Sequence, residues 1–74
     1  MKTIGNNIKK IRELNNFNQQ HMAQRLGISQ SEYSRIENGV VKSDGERLQK
    51  ISVILKVKIE ILYNFDENDL LHKK

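Results

Sequence analysis

The chain has 74 residues with 13 Lys and Arg against 9 Asp and Glu, a formal charge of +4, and neither cysteine nor proline. That length allows one domain with one modest core, and the missing cysteines exclude a disulfide framework and a thiolate metal site. No apolar run approaches the roughly 18 residues of a membrane span or forms a signal-peptide core, so a soluble cytoplasmic protein is expected, all-α because nothing but glycine and polar caps punctuates it.

The first apolar series is Ile4, Ile8, Ile11 and Leu14, separated by charged residues, and this spacing predicts a helix over about 4 to 15 with one buried stripe. Asn15 and Asn16 end it. Asn18 then starts a second helix, about 19 to 26, as an N-cap, with Phe17 and Met22 forming a hydrophobic staple around it. Met22, Ala23 and Leu26 face inward. Gly27 can take the positive φ that closes this helix and lets the next one leave steeply.

Eleven residues after Asn18 the same device recurs at Ser29, where Glu32 is placed to complete a capping box and Ile28 and Tyr33 supply a second staple. Two helix starts at this separation, joined by Leu26-Gly27-Ile28, describe a helix-turn-helix. The third helix, about 30 to 37, turns Tyr33 and Ile36 inward and leaves Gln30, Ser31, Ser34 and Arg35 on the opposite side. Asn38-Gly39 closes it. Ser43 with Glu46 predicts a third capping box and a helix over about 44 to 55, with Leu48, Ile51, Ser52 and Leu55 inward and a helix-weakening Gly45 in its first turn. Val57, Ile59, Leu62 and Phe65 belong with a short fifth helix at about 58 to 64. The domain is expected over 1 to 65, followed by a charged tail over 66 to 74, DENDLLHKK.

Charge is unevenly spread. Residues 1 to 42 carry all the excess, Lys2, Lys9, Lys10, Arg12, Arg25, Arg35 and Lys42 against Glu13, Glu32 and Glu37, whereas residues 43 to 74 balance. A polyanion would be drawn to the half holding the helix pair. One α-helix is about 10 to 12 Å across and the major groove of B-DNA about 12 Å wide, so a helix exposing short polar side chains can enter it. Gln can bond adenine through two atoms, Arg can do the same with guanine, and Ser is a small donor and acceptor. An ordinary solvated helix face has the same composition, and the residues alone leave both open.

The segment QxxxAxxLGISQSxYSRIENG, with Arg12-Glu13 upstream and the spacing of Leu48 to Val57 downstream, closely resembles the Cro/repressor-type helix-turn-helix family, also called the xenobiotic-response-element family. The likeness runs from about Ile4 to Leu62. It implies a compact five-helix bundle of the lambda-repressor-like type and a small transcriptional regulator, a repressor, binding double-stranded DNA through the helix at 30 to 37. Gln30, Ser31, Ser34 and Arg35 fall at its base-reading positions. Gln19 matches the glutamine that touches a phosphate and braces Gln30, and Asn38 and Lys42 match backbone-anchoring positions. Arg12 and Glu37 match a structural ion pair, although two solvated charges would read the same in sequence. Three departures stand out: Ser52 where the family has alanine, Lys58 in place of a small cap, and no proline after ENG.

One short helix reads few base pairs, so a homodimer is expected, which would place a second helix about 34 Å along the groove. Ile59, Tyr63, Phe65, Leu70 and Leu71 are the expected dimer surface. A protein-interaction module of the same fold, such as an antitoxin or adaptor, is the alternative function. Catalysis, cofactors, a small-molecule ligand and a metal site are not expected. His21 and His72 lack a ligand partner at helical spacing, and Asp66, Glu67 and Asp69 lack the glycine and closing glutamate of a calcium loop.

Overall fold

The computed structural model describes residues 4–40 and 44–65, so Lys42, Ser43, Leu70, Leu71 and the tail from 66 to 74 lie outside the described residues. Among the described residues the chain is five helices and no strand: α1 (Ile4–Leu14), α2 (Gln19–Leu26), α3 (Gln30–Glu37), α4 (Gly45–Leu55) and α5 (Ile59–Asn64). The expected all-α, five-helix architecture is what forms. None of these helices is long and apolar enough to cross a membrane.

Side-chain caps start α2, α3 and α4. Asn18 Oδ1 accepts from the His21 N–H at 2.7 Å and Ser29 Oγ accepts from the Glu32 N–H at 3.1 Å. At α4 the cap is Asp44, whose Oδ1 accepts from the Arg47 N–H at 2.8 Å, so the expected Ser43 capping box is corrected by one residue. Aspartate serves because its carboxylate also complements the positive end of the helix dipole. The Ser29 half of the second capping box is made, but the Glu32 carboxylate reaches across to Arg47 of α4, 3.2 Å away. Lys58 before α5 makes no side-chain cap bond.

The first four helices end by one mechanism. A residue in left-handed conformation follows each, Asn16, Gly27, Gly39 and Lys56, with φ of 61°, 72°, 75° and 61°. The next residue is apolar each time and returns its N–H to a carbonyl of the last turn: Phe17 to Arg12, Ile28 to Ala23, Val40 to Arg35 and Val57 to Ser52, at 3.0 to 3.2 Å. This bond satisfies an orphan carbonyl and fixes the exit direction of the chain. Phe17, Ile28 and Val57 then pack against the core, so those three turns are held by a hydrogen bond and by an apolar anchor, whereas Val40 is exposed.

The core is built from Ile8, Ile11, Met22, Ala23, Tyr33, Ile36, Leu48, Ile51, Leu55, Leu62 and Phe65. Helix α2 packs on α3 and α4, and α1 spans the other side against α3 and α5. Two sequence expectations change here. Leu14, placed in the buried stripe of the first helix, is 57% exposed at the last residue of α1. Phe65, placed on the dimer surface, is 6% exposed, and its ring is spent on the core of its own chain.

Two polar details lock α1 in place. Asn7 is buried and its Nδ2 donates to the Leu62 carbonyl at 2.9 Å, joining α1 to the last turn of α5. Gly5 lies against the end of α3. A Cβ there would sit 2.5 Å from the Glu37 carbonyl oxygen and 2.6 Å from that of Ile36.

Candidate nucleic-acid interface

The inner side of α3 buries Tyr33, Ile36 and Glu37, and its outer side leaves Gln30, Ser31 and Arg35 exposed with Ser34 half-buried. The four expected base-reading residues therefore share one face. Gln19, from the first turn of α2, joins them, and the five side chains line a shallow open concavity of about 440 Å³. Asn38 is exposed at the C-terminal end of α3, beside the surface but not among those lining residues. Lys42 lies outside the described residues.

Beneath this surface sits a buried polar knot. Arg12 and Glu37 meet as expected from the sequence, but as a buried pair: Arg12 Nε donates to Glu37 Oε2 at 2.7 Å, with side-chain exposures of 9% and 1%. Arg12 Nη1 donates to the Phe17 carbonyl at 2.7 Å, which ties the α1–α2 turn to the same guanidinium. Charges so far from water are tolerated because every available lone pair is matched by a donor. The Tyr33 hydroxyl donates to Glu37 Oε2 at 2.5 Å and Gln19 Nε2 to Oε1 at 3.1 Å.

The environment acts on both titratable partners of Glu37. Burial, then the hydrogen bond to Glu37 and its negative charge, pushes the Tyr33 phenol far above the ordinary tyrosine range, with Arg12 pulling it back weakly. Tyr33 is therefore a hydrogen-bond donor at neutral pH. For Arg12 burial is the largest influence and works to lower its pKa, but the hydrogen bond and charge of Glu37, with smaller help from Tyr33 and Glu13, outweigh it and the pKa is raised. The guanidinium stays charged.

Two members of this knot were not singled out as polar partners from sequence. Tyr33 was legible as a buried aromatic, and its place four residues before Glu37 on one helix was a usable signal for their contact. Gln19 to Glu37 had no local signal, because the contact joins different helices. His21 stacks on Phe17, ring centroids 4.3 Å apart, and belongs to the packing of the α2 start.

A family model described as helix-turn-helix matches residues 8–62, a span that takes in α2, the turn and α3 together with the helices that hold them. The chain belongs to the helix-turn-helix family. Among curated relatives, it is 36% identical over 63 residues to YqaE of Bacillus subtilis strain 168, described as an uncharacterized HTH-type transcriptional regulator, covering 85% of this chain. It is 34% identical over 74 residues to YonR of the same strain, an SPbeta prophage-derived uncharacterized HTH-type transcriptional regulator, covering 93% of this chain. The chain spans 54% of the length of YqaE and 68% of YonR. Among solved structures, the master regulator for biofilm formation SinR, crystallised in complex with DNA, aligns with a TM-score of 0.74 at 28% identity, covering 81% of this chain and 97% of that one. The helix-turn-helix family is not a class of enzymes.

Proposed function

We propose that this protein is a sequence-specific DNA-binding transcriptional regulator that lays α3 in the major groove of double-stranded DNA. One observation carries it: Gln30, Ser31, Ser34 and Arg35 stand together on the outer side of a helix whose inner side is anchored in the core. A rigid helix with a polar outer face of this chemistry fits base edges, and the positive half of the chain that bears it fits phosphates. The DNA-bound neighbour SinR and the two regulator relatives support the same role. Repression by occupying an operator belongs to the same reading, and the cytoplasm is where it would meet its DNA.

In this role Gln30, Ser31, Ser34 and Arg35 read bases, while Asn38, Lys42 and Gln19 serve the phosphate backbone. Arg35→Ala is expected to weaken binding to the preferred sequence by about 1 to 3 kcal/mol and to relax selectivity at one position. Titrations at several salt concentrations check this. The wild-type log–log slope should be about −0.9 for each phosphate neutralised. A flat slope, or equal losses on preferred and random DNA for Arg35→Ala, would remove the DNA-reading role and favour a protein partner.

Binding as a homodimer through α5 belongs to the same proposal. Ile61 and Tyr63 remain 37% and 56% exposed on that helix, with Ile59 half-buried beside them. Leu70 and Leu71 of the following segment would extend this surface. Tyr63→Asp should shift sedimentation toward the monomer without loss of helicity, and unchanged assembly would move the interface elsewhere.

A further inference from the structure

Among the eight asparagines of the chain, Asn38 alone is followed by glycine. The Gly39 nitrogen carries no neighbouring side chain, so it is the backbone group best able to attack the Asn38 side-chain carbonyl carbon and close a five-membered ring. The end of α3 itself requires that glycine: its φ is 75°, while a Cβ built there would meet nothing within 4 Å. Asn38 is exposed, and its side-chain amide makes no hydrogen bond among the described residues. Four other asparagines are committed. Asn7, Asn15 and Asn64 donate to the carbonyls of Leu62, Ile11 and Glu60, and Asn18 accepts the His21 N–H. Attack at Asn38 needs the Gly39 N–H to release the Ile36 carbonyl, 3.2 Å away, and Asn38 to turn from its ψ of −1°. Both changes fall at the end of a helix, where local opening costs least. The related pair Asp44-Gly45 differs, because Asp44 offers a carboxylate, a poor electrophile, and holds it as the cap of α4, Oδ1 2.8 Å from the Arg47 nitrogen.

We propose that Asn38-Gly39 is a self-modifying site, where loss of ammonia turns Asn38 into an acid and releases α3 from DNA. The release rests on DNA binding as proposed above; the chemistry does not. The bond from Gly39 N to Asn38 Cγ forms as the bond from Cγ to Nδ2 breaks, and the Gly39 amide proton passes through solvent to the departing nitrogen, which leaves as ammonia. Water then opens the cyclic imide. Cleavage at Cγ gives aspartate, and cleavage at the backbone carbonyl gives isoaspartate, so one water is consumed and one ammonia released. Either product sets a new negative charge at the C-terminal end of α3, where the helix dipole already disfavours it and where Asn38 would lie beside phosphate. Isoaspartate does more. It carries the main chain through Cβ, one atom longer, so the bonds from Gly39 N to the Ile36 carbonyl and from Val40 N to the Arg35 carbonyl, at 3.2 and 3.0 Å, lose their register. The last turn of the reading helix would loosen with them. DNA seated on Asn38 restrains the same rotation, so free protein ages faster than bound protein.

The test has two arms on the 74-residue chain. In the first, DNA-free protein is aged at mildly alkaline pH, digested, and mapped by mass spectrometry. The mass gain of an amide turned into an acid should appear at Asn38 before any other asparagine, faster as pH rises, with isoaspartate among the products. Asn38→Gln, which keeps an amide but would need a six-membered ring, should show no such gain at that position. Conversion at Asn38 no faster than at the other asparagines overturns the site. In the second arm, fresh protein, aged protein and Asn38→Asp are titrated with duplex recovered by selection from a random pool and with random duplex, helicity being checked by circular dichroism. Asn38→Asp should lose about fivefold in affinity on both duplexes, since a charge beside the backbone acts on every sequence. The converted fraction of aged protein should lose at least as much, and saturating duplex should slow the conversion. Aged protein that binds as tightly as fresh protein overturns the release from DNA. If fresh protein binds no duplex, the DNA-binding role falls and the release with it, while the mass gain still decides whether Asn38 modifies itself.

Discussion

Glu37→Ala is expected to remove about 3 to 5 kcal/mol of folding stability, the characteristic loss when one member of a buried ion pair is deleted. Nearly all of the Glu37 side chain is buried, and its removal leaves three donors stranded: the Arg12 guanidinium, the Tyr33 hydroxyl and the Gln19 amide. The charged one dominates, because a buried guanidinium without its carboxylate cannot be hydrated where it stands. A domain of this size is stable by only about 5 to 15 kcal/mol, so a large share of the population would unfold on mild warming. Urea denaturation followed by helical circular dichroism measures the loss. Replacing both charges with apolar residues of similar size, Arg12→Met with Glu37→Leu, should recover much of it, since such swaps of a buried pair are often neutral or favourable. A loss under about 1 kcal/mol for Glu37→Ala would mean that the pair behaves as a solvated surface bridge.

What was legible in the sequence follows from the range of the interactions involved. The helices came through because caps, staples and apolar spacing are local: Asn18 and Ser29 cap as their residue types suggest, and the inward stripe of α4 is Leu48, Ile51, Ser52 and Leu55 as its spacing predicts. Ser52 donates to the Gln49 carbonyl at 2.7 Å, the back-bond along its own helix expected of a buried serine. Misplacements came where two local choices compete, as Ser43 and Asp44 do for one cap, or where tertiary packing decides, as at Leu14 and Phe65. Lys56 shows a further limit. Its φ of 61° belongs to a position that glycine would fill more easily, and no residue type announced it. For the interface, the four outward residues of α3 were legible from helical geometry, and the Arg12–Glu37 pairing only through family likeness. The junction of Gln19 with Glu37 depends on how α2 crosses α3, which no local pattern encodes.

Gly5→Ala is expected to destabilise the fold by about 1 to 3 kcal/mol, although alanine is the better helix former. Inside α1 the propensity gain is about 1 kcal/mol. Against it stands a methyl group 2.5 and 2.6 Å from the carbonyl oxygens of Glu37 and Ile36, and 2.9 Å from the Glu37 carbonyl carbon. Those neighbours are backbone at the last turn of α3, so no side-chain rotation relieves the clash and one helix has to move. A shift of α1 away from α3 would stretch the bond from Arg12 to Glu37 at 2.7 Å and that from Asn7 to the Leu62 carbonyl at 2.9 Å. The same displacement disturbs the carboxylate that accepts from the Gln19 amide at 3.1 Å. Gly45→Ala is the matched comparison, since a Cβ at the start of α4 meets no atom within 4 Å. It should raise stability by up to about 1 kcal/mol, the gain being smaller in a first turn than mid-helix. Thermal melts of the two variants should therefore shift in opposite directions. A Gly5→Ala protein as stable as the wild type would mean that α1 can ride over the end of α3 without cost, and that the close approach is not what sets the angle between them.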